Sequence, residues 1–100
     1  IDSISDNVIE SICTEITKPS KSENQLRKYL TQNEKLFQSD YKTLLKLLYN
    51  RICAERAGIP SDKIGECLLT VFEYLKSAET VADLEINFHA CILNLRQVLG

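Results

Sequence analysis

What this chain of 100 residues lacks excludes most kinds of chemistry. No apolar run approaches the 18 or so residues that a membrane-spanning helix needs. Four cysteines (Cys13, Cys53, Cys67, Cys91) contain no Cys-x-x-Cys pair, so neither a zinc-finger nor a redox-motif reading has support. The three glycines are scattered, and no glycine-rich phosphate loop can be built from them. There is one histidine, His89, and no sequon for N-linked glycosylation. The net charge is −2, which gives no electrostatic reason to expect direct nucleic-acid contact. The first residue is Ile, with no charged-then-apolar leader behind it, so an excised domain is expected.

What is present is helical periodicity. With 44% hydrophobic and 26% charged residues, the chain is expected to form one globular domain over residues 1–100. Its organising stretch is Tyr41 to Cys53, whose apolar residues cover well over half of a helical wheel. An ordinary surface helix carries an apolar arc of roughly 100° or a little more. A wider arc needs cover from several sides, so this helix, expected over Tyr41–Ala57, is placed at the centre of a bundle. Lys42, Lys46 and Asn50 form its solvent line.

Around it the pattern predicts four more helices, an all-α bundle of about five. Ile1, Ile4, Val8, Ile9, Ile12, Cys13 and Ile16 stripe a first helix, opened by Ser3 or Ser5 and closed near Thr17. Lys18-Pro19-Ser20-Lys21 breaks the chain, so residues 1–17 are the element expected to be mobile or exchanged between copies. Ser22 and Gln25 make a capping box for a second helix carrying Leu26, Tyr29 and Leu30, ended at the polar stretch Thr31-Gln32-Asn33-Glu34. Leu36 and Phe37 either anchor the following loop or close a longer second helix. Ser39 or Asp40 caps the central helix. Gly58-Ile59-Pro60 ends it, with Gly58 in the left-handed position. Ser61 caps a fourth helix with the stripe Ile64, Cys67, Leu68, Val71, Phe72 and Leu75. Thr80 and Asp83 resemble a capping box for the last helix, whose face reads Val81, Leu84, Phe88, Cys91, Ile92, Leu95, Val98 and Leu99. Short connections favour a hairpin of these two helices against the central one.

No catalytic set emerges. All four cysteines occupy apolar-face positions and read as small core residues in a reducing, cytoplasmic compartment. His89 lies one turn from Glu85 and reads as a partly buried side chain paired with it or with solvent. The carboxylate pairs Asp6/Glu10 and Glu79/Asp83 read as surface charges. Arg51, Glu55 and Arg56 read as an intrahelical pair and a cation at a helix end. Lys18, Lys21, Arg27 and Lys28 gather near the first joint without interleaved aromatics. No enzyme activity, metal or cofactor is expected.

From Ala54 to Leu99 one resemblance stands out. Ala54-Glu55-Arg56-Ala57-Gly58-Ile59-Pro60, the spacing Leu68, Val71, Leu75, then Thr80-Val81-Ala82-Asp83-Leu84, and finally Phe88, Ile92, Leu95 carry it. This pattern resembles the helical segment preceding the DNA-binding region in some AraC-type bacterial transcription regulators. The resemblance implies a regulatory or dimerisation module acting by protein–protein packing. A homodimer is expected, with Ile9, Ile12, Ile16, Leu44, Leu47 and Tyr49 as interface candidates. The alternative is a small helical adaptor or chaperone that holds a partner helix in an apolar groove. A small-molecule effector would need an internal pocket that the sequence neither shows nor excludes.

Overall fold

The computed structural model describes residues 2–18, 22–36 and 40–100, with residues 2–6 and 36 as backbone only. Five α-helices account for most of them: α1 (Asp2–Thr17), α2 (Glu23–Gln32), α3 (Tyr41–Cys53), α4 (Ile64–Ser77) and α5 (Leu84–Leu99). Short 3-10 turns at Glu34–Leu36 and Ser61–Lys63 precede α3 and α4. No strand occurs among the described residues, and the fold is the all-α bundle expected. α1 begins at Asp2, so neither Ser3 nor Ser5 stands at its N-cap position. The Pro19 joint, the side chains of Ile1 and Ile4, Phe37 and the Ser39 cap lie outside what the structure describes.

α3 packs against α1, α4 and α5. Tyr41, Leu44, Leu45, Leu48 and Ile52 are buried along it, while Lys46 and Asn50 face solvent. Each fully buried Leu or Ile contributes roughly 1.5–3 kcal/mol relative to exposure. The helix is therefore stabilised by three neighbours, which is what its wide apolar arc requires. α1 adds Val8, Ile9, Ile12, Cys13 and Ile16 to the same core, and α5 adds Phe88, Cys91, Ile92 and Leu95. The Tyr41 and Phe88 rings meet tilted, with centroids 5.6 Å apart.

Local signals set several boundaries. At α2 the capping box forms as expected: the Gln25 amide donates to Ser22 Oγ (3.2 Å) and the Ser22 amide to Gln25 Oε1 (2.9 Å). The helix then runs two residues past Leu30 to Gln32, and Asn33 closes it by donating its side-chain amide to the Tyr29 carbonyl (2.7 Å). Asp40 caps α3, accepting from the Thr43 amide (3.1 Å) and hydroxyl (2.7 Å).

Other ends differ from expectation. α3 stops at Cys53, not near Ala57, because the chain turns at Glu55 (φ 58°). The Glu55 amide donates to the Ile52 carbonyl and the Arg56 amide to the Arg51 carbonyl, both at 3.0 Å, which is the Schellman pattern. Glycine is the usual residue there. The early turn carries Ala57 into the core and brings Ile59 against it, and Gly58 supplies a second left-handed residue at φ 79°. Ser61 is not the cap of α4. Pro60, extended at φ −57° and ψ 141°, leads into a 3-10 turn, and no side chain caps the helix start. At α5 the cap is Asp83 itself, accepting from the Ile86 amide (3.1 Å). Thr80 instead donates to the Ser77 carbonyl at the end of α4 (3.4 Å), and Val81 lies in the loop.

α4 and α5 pack as neighbours, tied where Asn87, buried on α5, donates to the Tyr74 carbonyl (3.1 Å). α2 is held to α5 by Arg27–Glu85 (2.7 Å) and by His89 Nε2 against the Glu23 carbonyl (3.1 Å). A carbonyl can only accept, so that ring nitrogen carries a proton.

Candidate functional site

Of the interface candidates, Ile9, Ile12, Ile16 and Leu44 lie inside the single chain's own core, at 2% exposure or less. Leu47 and Tyr49 are half-buried against it. In this arrangement α1 is already covered by α3 and α5.

Among the described residues, two neighbouring exposed apolar side chains lie on α4. Leu69 is 67% exposed and Phe72 48%. Gly65, Leu69, Phe72 and Lys76 follow one another at spacings of four, three and four, and all four are exposed. On a helix that spacing is a single straight stripe. It lies roughly opposite the buried residues Cys67 and Val71. A side chain added at Gly65 would meet nothing within 4 Å, so the stripe begins in open space. Glu66 and Glu73 flank it, and Lys76 stands with its ammonium 5.9 Å from the Phe72 ring centre. Periodicity alone placed Phe72 in the core and Leu68 beside it. The structure leaves Phe72 at the surface and Leu68 half-buried. With Leu69 included, the apolar residues of α4 spread over more than half of its circumference, so its inward side could not be located by counting. Two further exposed apolar residues lie off α4: Ile86 (53%) at the start of α5 and Val81 (36%) in the loop before it.

The chemistry-bearing residues are dispersed. Cys13, Cys67 and Cys91 are buried and free, while Cys53, at the end of α3, is exposed rather than part of the core. Burial pushes the Cys13 thiol up to about 11, with Arg51 opposing, and the Cys91 thiol up to about 12. These are unreactive packing thiols. Glu85 pairs with Arg27 and not with His89. Glu79 pairs with Lys42 (2.8 Å), which holds its carboxyl below the usual range. Glu55 makes no pair with Arg51, which points instead at Glu10 (3.9 Å). Among the described residues no group of three or more His, Cys, Asp or Glu could hold a metal ion, and no helix is long and apolar enough to cross a membrane.

Two features escaped sequence reasoning because their parts are far apart in the chain. One is a buried ion pair: Arg96 Nε donates to the Glu15 carbonyl (3.1 Å) and Nη2 to its carboxylate (3.2 Å), locking α5 to α1. The other is a cleft of about 360 Å³ between the end of α1 and the turn after α3. Lys18, Arg51 and Arg56 line it, with Glu10 the one acidic residue among its described walls and Gly58 on its rim. A shallower cleft of about 270 Å³ borders the same two arginines beside Leu47 and Asn50.

No protein-family model matches the chain, and neither a curated protein nor a solved structure is significantly similar to it.

Proposed function

We propose that this chain is a non-catalytic packing module that pairs with a second copy of itself through the outward stripe of α4. The observation that carries the reading is the straight run Gly65, Leu69, Phe72 and Lys76, exposed on a helix whose opposite side is in the core. A second copy turned about a two-fold axis between Leu69 and Phe72 lays each Leu69 on the other's Phe72. It also sets each Lys76 beside the other's Gly65 and Glu66. The open space at Gly65 receives the lysine stem, and Glu66 receives its charge. A two-fold contact has to be self-complementary in this way. From Gly65 to Lys76 the stripe is about 17 Å long, at about 1.5 Å of rise per residue. One helix face of that size buries less than the ~800 Å² per partner of a standard stable interface, so the dimer is weak and concentration-dependent.

The resemblance across Ala54–Leu99 supports a regulatory setting, in which the module sits beside the DNA-binding region of a bacterial transcription regulator. Association of two copies would then bring two such regions together. The adaptor reading uses the same face for a helix from another protein. Against it stands the charge order, which α4 satisfies with itself.

The test is a charge swap read by light scattering over a concentration series. Lys76→Glu should weaken association at least threefold by setting it against the other copy's Glu66. Glu66→Lys combined with Lys76→Glu should restore it. A wild type that stays monomeric throughout would hand the face to the adaptor reading. A double variant no better than Lys76→Glu would reject the two-fold register.

A further inference from the structure

We propose that the cleft between the end of α1 and the turn after α3 binds a small phosphate-bearing anion. It shares no residue with the α4 stripe and stands independently of the self-association reading. Three cations converge there, Lys18, Arg51 and Arg56, in a chain whose net charge is −2. Arg51 is the least exposed of them, its side chain only 16% accessible, and its ionic contact with Glu10 is 3.9 Å, too long for a hydrogen bond. Lys18 and Arg56 have no ion pair among the described residues. Among the described residues no acceptor lies within hydrogen-bond distance of the Arg51 guanidinium, and its nitrogens still reach solvent, so its donors are open to an anion entering the cleft.

The competing account is that these cations offset the negative C-terminal ends of α1 and α3. Each helix end amounts to about half a charge. Even with Glu10 added, the three full charges leave the cleft positive. Glu10 is also 76% exposed, so it can turn away into solvent when an anion arrives. Two guanidiniums present planar forks suited to oxygen pairs on one phosphorus, and the lysine adds a point charge. The cavity of about 360 Å³ falls at the small end of the range for small-molecule sites. Thr14 and Thr17 donate their hydroxyls to the carbonyls of Glu10 and Cys13, so they shape the wall without donating to the anion.

The experiment is an NMR titration of the amide signals with inorganic phosphate, against chloride at matched ionic strength. Saturable shifts are expected at Thr17, Lys18 and Arg56 to Gly58, with a Kd on the order of a few millimolar. Arg56→Gln, a change at an exposed side chain, should weaken binding about tenfold, and Arg51→Gln should do so at least as much. Glu10→Gln should tighten it about threefold by removing the opposing charge. Shifts that chloride reproduces, or an Arg56→Gln variant binding like wild type, would overturn the proposal. So would a Glu10→Gln variant that binds no more tightly.

Discussion

At the scale of single residues, the caps carry much of the fold's definition. Asp40 accepts two hydrogen bonds from Thr43, and these hold its carboxyl below the usual value of 3.8. Replacing it with alanine should cost about 1 kcal/mol at neutral pH, within the range for N-caps. The sign of its pH dependence follows from the lowered folded value. The contribution is complete above the unfolded value near 3.8 and is lost as pH falls through the folded one. Denaturant melts of wild type and Asp40→Ala should therefore differ at pH 7 and converge toward about pH 2. A gap that persists unchanged would show that the cap acts through something other than its charge. Asp40, Ser22 and Gln25 were legible in the sequence because each bond spans only three residues. Glu55 was not, because a left-handed glutamate runs against local preference. The pull of Ala57 and Ile59 into the core decides it, and that pull is tertiary.

At the scale of elements, α3 is central and α4 is one-sided. Leu48 is fully buried on α3, whereas Leu68 on α4 is only half-buried. Leu48→Ala should cost about 2–5 kcal/mol, the range for truncating a buried leucine. Leu68→Ala should cost less than about 2 kcal/mol, since part of its surface already meets water. Equilibrium urea unfolding of both variants checks the order. Equal losses would place α4 deeper than described. The central role of α3 was readable from the width of its apolar arc. The orientation of α4 was not, because with Leu69 in the pattern several rotations bury nearly the same number of apolar side chains.

At the scale of the whole molecule, contacts between distant segments decide both the core and the surfaces left over. Arg96 and Glu15 are 81 positions apart and join the last helix to the first. Removing one partner of a buried pair typically costs about 3–5 kcal/mol. Arg96→Ala should lower stability by about 3 kcal/mol or more, while the exposed Lys42–Glu79 pair, cut by Lys42→Ala, should cost under about 1 kcal/mol. Thermal unfolding of the two variants side by side tests this. The Arg51/Arg56 cleft and the Glu15 pair both arise from packing α1 across the bundle, which no window of sequence displays. The same packing takes Ile9, Ile12, Ile16 and Leu44 inside, so the proposed interface rests on α4 instead.

Sedimentation equilibrium of wild type and Phe72→Glu at concentrations up to about 1 mM tests that interface most directly. Wild type should fit a reversible monomer–dimer equilibrium with a Kd in the tens of micromolar, an association free energy of roughly 6–7 kcal/mol. Phe72→Glu should sediment as a monomer throughout, with a thermal midpoint within about 2 °C of wild type, because Phe72 is half-exposed on the outward stripe. A wild type that remains monomeric at the highest concentration, or a Phe72→Glu variant that associates as well as wild type, would contradict the account.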